Sequence, residues 1–412
     1  MLLKPLSLAL AAAYAHAGVV PFIERRQVVA GNSTSDFSSS AVVANLSVLN
    51  ALPFPFDRAG ANNATVWNVT LPDETTYDYF AAPSMEEARE ELERVGNATV
   101  VAYQAEFLDI AGGAKVERVF RGGNYHEAPV YLPATRQIFL TPDVGSTQYL
   151  VDLNSTTLSN FTANPPVENV NGGTYHSGTL YVTTNGGNRT SPAVFAIDSE
   201  TRESRVVVDN YFGLRFNSFN DIVADNEGNL IFNDPEYGFK NGFNPNPPQL
   251  LPATYLYNAT TKITKCLSSR ILISSFVNWL FHGRALVDGL NEPNGVAFSP
   301  DKLVLYAFNY RSSFASSKRL FHLNPSGIPD GLKVDSAGRV WSVFGDADTG
   351  AVEVINPDGQ VLGLVQFPAG AKASNVVFVP PVEEGGSDEV WVVGGDSIWR
   401  ISGLNVTGVR IE

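Results

Sequence analysis

NDIVADNEGNLIFND, residues 220–234, is the stretch on which the fold turns. It reads as a polar residue, a small or turn residue that serves as a spacer, a short apolar strand, a tight turn rich in Asp, Asn and Gly, and a second apolar strand. The same plan returns as EAPVYLPATRQIFLT (127–141), NGVAFSPDKLVLYAF (294–308) and DGLKVDSAGRVWSVF (330–344). Two looser copies are NGGTYHSGTLYVTT (171–184) and NVVFVPPVEEGGSDEVWVV (375–393). The copies begin at 127, 171, 220, 294, 330 and 375, in steps of 44, 49, 74, 36 and 45 residues. A period of about 40–50 residues carrying four short strands is the signature of a propeller blade. The helical crossovers that a parallel α/β sheet requires are not visible, and a β-sandwich would not repeat at this period. The expected fold is therefore all-β, a six-bladed β-propeller over 101–412 with an N-terminal extension over 18–100.

Two adjacent steps are irregular. The long one contains SSRILISSFVNWLFHG (268–283), which neither alternates nor carries turn signals. The short one leaves too little chain around 311–326 for the outer strands of a full blade. A natural insertion beside a trimmed blade and an error in the gene model both account for this, and sequencing the transcript separates them. The extension is richer in Ser, Asn, Pro and aromatics, and its one expected helix covers 83–95. There SMEEARE offers Ser84 as N-cap with Glu87 three residues on.

The first 17 residues read as a signal peptide, with Lys4, an apolar run from Pro5 to Tyr14, and Ala15-His16-Ala17 as cleavage site. N-x-S/T sequons follow at Asn32, Asn45, Asn63, Asn68, Asn97, Asn154, Asn160, Asn188, Asn258 and Asn405, a density expected of a secreted, extracellular glycoprotein. Cys266 is the only cysteine, so no internal disulfide and no thiolate metal site can form. The net charge of −14 argues against a nucleic-acid partner. No stretch is long and apolar enough to span a membrane. Oligomeric state leaves no mark in the sequence.

In a propeller the first strand of each blade lines the central channel, so equivalent repeat positions ring the axis. Here the repeat starts are Glu127, Asn171, Asn220, Asn294, Asp330 and Asn375. Taken singly, PNG (293–295) and PDG (329–331) are ordinary turn tripeptides. Six oxygen-bearing side chains at one repeat position are instead what a hard cation needs. With no Cys or His cluster, ligation by sulfur or imidazole is disfavoured. Arg215 is placed at the pocket mouth, and His176 in the second repeat is a candidate to touch substrate. Both also have plain structural readings. His126 is expected to point away from the ring by strand alternation. No G-x-S-x-G elbow and no phosphate-binding loop is present.

These motifs, with HEAPVYLP, FNDIVAD, PNGVAFSPD and GIPDGLKVDSAGRVW in order, resemble the SMP-30/gluconolactonase/LRE-like family and its secreted fungal lactonase branch. The resemblance covers about residues 100–412. It implies a hydrolase that opens lactone rings with one divalent ion, calcium first, with zinc, manganese and magnesium as alternatives. It places Glu127, Asn294 and Asp330 as metal ligands, and Asn220 as a residue contacting metal or substrate. It also makes Asp330 the first choice of general base, although a cation-bound carboxylate is a weakened base. Two other readings stand beside it. One is a non-catalytic propeller with a structural ion that binds a sugar or a protein; the other is a strictosidine-synthase-like propeller without metal.

Overall fold

Short apolar runs, alternating with polar residues and broken by capped turns, fold as antiparallel meanders. The computed structural model describes residues 40–49, 68–70, 76–78, 86–269, 292–302, 305–309, 329–344, 350–382 and 386–409. Five sheets of four or more strands form the blades of a β-propeller. Blade I holds Glu127–Leu132, Gln137–Thr141, Gln148–Asp152 and Thr157–Phe161. Blade II holds Val170–His176, Thr179–Thr184, Val194–Asp198 and Ser204–Val208. Blade III holds Ile222–Ala224, Leu230–Asp234, Ala253–Tyr257 and Thr264–Ser269. Blade IV is built on Pro329–Val334, Val340–Phe344, Ala351–Ile355 and Val361–Gln366. Blade V joins Asn375–Val379, Glu389–Gly394 and Ser397–Ser402 to Lys115–Arg121, a strand from ahead of blade I.

Between blades III and IV lies a sheet of two described strands, Pro293–Phe298 and Leu305–Asn309. The expectation of six full blades thus meets five full blades and this shorter sheet among the described residues. The irregular segments noted in the sequence fall mostly in 270–291 and 310–328, outside the described residues. First strands pack each against the next around a closed circle, and Asn375–Val379 returns to Glu127–Leu132.

The turns have a common chemistry. Asp225 and Asp335 each accept two backbone N–H groups ahead of them, from Glu227 and Asn229 and from Ala337 and Arg339. These caps close the first hairpins of blades III and IV and explain why the D-x-x-G pattern repeats. The apolar side chains they leave in register fill the spaces between blades. Val130, Phe139 and Leu150 of blade I meet Leu180 and Val182 of blade II, all buried. Trp341 and Val343 of blade IV share a second core with Val376, Val390 and Trp399 of blade V.

The N-terminal extension is continuous with the propeller. Val100–Ala102 pairs antiparallel with the outer strand of blade IV, and Ala41–Val43 runs parallel to it beyond. The expected domain boundary at 100 falls inside that strand. A helix forms at Glu86–Gly96, close to the expected 83–95, while Ser84 lies outside the described residues. Arg94 on the helix donates to the Val43 carbonyl at 2.6 Å and pairs with Glu91, while Gln366 donates to the Val95 and Ala98 carbonyls at 2.9 Å. No helix among the described residues is long and apolar enough to cross a membrane.

Candidate active site on the channel axis

Near the start of the first strands, the pairing register slips so that two residues oppose one. Pairing passes from Glu127–Thr141 to Val130–Phe139, from Pro293–Asn309 to Val296–Ala307, and from Pro329–Phe344 to Leu332–Ser342. Asn294 with Gly295, and Asp330 with Gly331, are therefore bulged pairs. In blade III, Asn220 donates to the Asn233 carbonyl at 3.0 Å and Asn233 donates back to Asp221 at 3.1 Å, so Asn220 and Asp221 share one partner. The register slips between Val170 and Gly172 as well. Bulges re-aim side chains, and here they turn Asn171, Asn220, Asn294 and Asp330 through the same local geometry. Glu127 stands one residue earlier: its bulge is Ala128–Pro129, with Ala128 at φ 52. Asn375 pairs regularly with Val393.

The PNG and PDG tripeptides lie inside strands, so the turn reading of them is corrected. Glycine is needed there because neighbouring first strands crowd at the axis. A Cβ on Gly295 would lie 2.3 Å from the Asp330 carbonyl oxygen, and one on Gly331 would lie 2.2 Å from Cγ and Oδ1 of Asn375. In blade III the glycine position carries Asp221 instead. Its carboxyl is buried and joins the site, a residue that sequence reading missed by treating the second residue of each repeat as a spacer.

Glu127, Asp221 and Asn375 form one buried constellation. Asn375 Nδ2 donates to Glu127 Oε2 at 2.8 Å and reaches Asp221 Oδ1 at 3.4 Å, while its own Oδ1 accepts the Val376 N–H at 2.8 Å. Burial pushes the Glu127 carboxyl well above the usual carboxylate range, and the charges of Asp330 and Asp221 push it further. Burial raises Asp221 too, against the pull of Lys333, the Val296 N–H and Asn375. Asp221 Oδ2 is buried without a hydrogen-bond partner. Asp330 is half-buried on the Glu127 side of this group. Among the described residues, no three His, Cys, Asp or Glu side chains are gathered closely enough to make a metal cluster by themselves. The donor chemistry nevertheless fits a hard cation. Crowded carboxylates, neutral amides and an orphaned carboxylate oxygen are all stabilised by a nearby divalent charge.

Side chains of the second strands tether this ring blade to blade. Thr141 Oγ1 donates to the Val170 carbonyl at 3.0 Å, Thr183 Oγ1 to that of Asn220, and Asn233 Nδ2 to that of Asn294. Thr254 fixes the Asn233 amide by donating to its Oδ1 at 2.7 Å. Asn171 accepts from Asn185 Nδ2 at 3.2 Å.

Other expected site residues stand elsewhere. His176 ends the strand Val170–His176 that carries Asn171 near its start, so it stands at the other end of that strand, beside Gly228. Its ring lies 3.2 Å from Ser177 Oγ, so the structure does not bring it to the ring of carboxylates. Arg215 sits on a hairpin at the correct mouth, but its guanidinium donates to the Pro247 carbonyl at 2.8 Å. It clamps loop to loop. His126, just ahead of Glu127, pairs through Nδ1 with Asp143 at 3.1 Å on the rim. Among the sequons, Asn45, Asn97, Asn154, Asn160, Asn188 and Asn405 are exposed and Asn258 is half-buried. Asn68 begins a short strand, while Asn32 and Asn63 lie outside the described residues.

A closed ring of first strands with a buried acidic cluster at one mouth defines an axial-site propeller. Residues 126–383 match the sequence model of the SMP-30/Gluconolactonase/LRE-like region, and the chain belongs to that family. A lactonohydrolase (oryL) of Aspergillus oryzae is 27% identical over 321 residues, covering 67% of each chain. A gluconolactonase of Zymomonas mobilis is 30% identical over 208 residues, which cover 45% of this chain and 52% of that protein. Among solved structures, a gluconolactonase from Xanthomonas campestris superposes with a TM-score of 0.57 at 24% identity, over 73% of this chain and 93% of that one. That likeness speaks to the fold.

Proposed function

We propose that this chain is a lactone hydrolase that works with one divalent cation, calcium first, on the propeller axis. The observation that carries the reading is the buried pair Glu127 and Asp221, bridged by the Asn375 amide, with the half-buried Asp330 acting on Glu127 through its charge, in a chain of this family. Glu127, Asn294 and Asp330 would hold the ion, which when bound would polarise the lactone carbonyl and stabilise the oxyanion as a Lewis acid. Asn220, buried in the same bulge position, would donate its amide to the substrate. Asp330 is the assigned base: it takes the proton from the attacking water. The ring C–O bond then breaks, and the departing ring oxygen is protonated to leave a hydroxy acid. The orphaned oxygen of Asp221 would steady that water or a substrate hydroxyl.

The sheet Pro293–Phe298 with Leu305–Asn309 is the inner half of a sixth blade, supported by its place in the circle of first strands. The chain is secreted after cleavage near Ala17, and its exposed sequons carry N-glycans. Its partner is a small lactone.

Metal analysis of the purified protein with a lactone panel, before and after chelation, tests the function. Turnover should vanish with EDTA and return with calcium. Asp330→Asn and Glu127→Gln should each lower kcat by roughly 100-fold or more while the fold persists. An active Asp330→Asn protein with normal calcium affinity would sink the assignment. A protein that binds calcium but opens no lactone would instead make the ion structural.

A further inference from the structure

The mouth of the channel near Asn171 and Asn220 is organised by one side chain that the proposed chemistry does not use. Asp234 ends the second strand of blade III, and its side chain is fully buried. Its Oδ1 accepts the N–H groups of Asn217 at 2.8 Å and Ser218 at 2.9 Å. Those residues form the turn that delivers the chain to Asn220. Ser218 Oγ donates onward to Asn185 Oδ1 at 2.9 Å and accepts the Gly238 N–H at 2.8 Å. Asn185 Nδ2 in turn reaches Asn171 Oδ1. Asn217 itself takes the Leu250 N–H on its Oδ1 and the Asn244 amide on its carbonyl, each at 3.3 Å.

Three loops of two blades therefore meet on this turn: 209–221, 185–193 and 235–252. The short helix Tyr237–Lys240 is seated on it so closely that a Cβ on Gly238 would lie 2.6 Å from Ser218 Oγ. Among the described residues this carboxyl has no basic partner, an unusual choice for such a place, since burying a charge is costly. Burial above all, against the pull of the two N–H donors and with a further push from Glu236, raises this carboxyl to about 8. Tyr255 on the neighbouring strand is the other titratable group facing it, and its hydroxyl is raised as well.

We propose that Asp234 is a positioning residue for lactone hydrolysis. Through the Asn217–Ser218 turn it sets the Asn220 amide and, through Ser218 and Asn185, the Asn171 amide at the mouth of the site. The role rests on the lactonase reading for its kinetic consequence but not for its structural one.

Two variants test it. Asp234→Asn keeps an acceptor for both N–H groups and should rescue, with kcat and KM near the native values at pH 7. Asp234→Val removes the acceptor and should lower kcat about 10- to 100-fold with calcium affinity unchanged, the scale expected of lost support behind a binding residue. The titration supplies a second readout. Because the folded carboxyl holds its proton to a higher pH than the unfolded one, it favours the fold at low pH, and that favour fades as pH rises from about 4 to about 8. Relative to the native protein, Asp234→Asn should therefore gain melting temperature steadily across that interval. Native kcat in Asp234→Val, or an Asn variant as impaired as the Val variant, would overturn the proposal. If no lactone is turned over by the native protein, the lactonase reading fails alone. Amide exchange at Asn217–Asn220 then decides the positioning role, with protection lost in the Val variant and kept in the Asn variant.

Discussion

At Gly331 the backbone is ordinary but the space is not. An alanine Cβ would press on the side chain of Asn375, whose amide joins Glu127 to Asp221. Gly331→Ala should therefore cost about 1–3 kcal/mol by overpacking, read by urea unfolding. It should also depress turnover more than an equally destabilising change in an outer strand, because the displaced group holds two carboxyls. Residues of this kind were only half legible. Their recurrence at the repeat starts announced an axial ring, because equivalent positions in a propeller must meet. Whether NG and DG are turns or crowded strands could not be read from the tripeptides, since both uses of glycine look alike in one dimension. Asp221 escaped for a related reason. Its meaning comes from standing where Gly295 and Gly331 stand, and that equivalence rests on a bulge visible only in the pairing.

Among elements, the second strand of each blade does more than pair. In blades I to III the donors Thr141, Thr183 and Asn233 reach across to the next first strand, to the carbonyls of Val170, one residue ahead of a repeat start, and of the repeat starts Asn220 and Asn294. They convert a stack of separate meanders into a ring with fixed spacing at the axis. Asn233→Leu should remove the tether to Asn294 and leave a buried carbonyl unpaired, at a cost of about 1–3 kcal/mol. Calcium affinity should fall in the same variant, because Asn294 loses its anchor while keeping its side chain; isothermal titration against Asn233→Asp, which keeps the acceptor side toward Thr254, reads the difference. These tethers sit on residues that the sequence presents only as polar ends of apolar strands, with nothing to mark the direction of their reach. The hairpin turns, in contrast, were plain from their Asp, Asn and Gly content.

For the molecule as a whole, the repeat period was enough to identify a propeller, and the irregular steps of 74 and 36 residues marked where the described sheet is short. The use of the N-terminal segment was not legible, because edge strands of three residues leave no periodic trace. That segment covers the outer edge of blade IV with Val100–Ala102 and then Ala41–Val43. Exposed edges template pairing between chains. A version lacking residues up to 103 should expose the edge at Val361–Gln366 and aggregate at concentrations where the full chain stays monodisperse, measured by light scattering.

The strand Lys115–Arg121 belongs to the last blade although it is made before the first. During synthesis it must wait, without its partner, until Ser397–Ser402 has emerged. Glu127 and Asn375 likewise meet only once the two ends of the chain have been brought together. The contact between them is thus a late product of biosynthesis, absent from every chain that stops short of Asn375. If the proposed cation is held there, its uptake would report that the circle has shut.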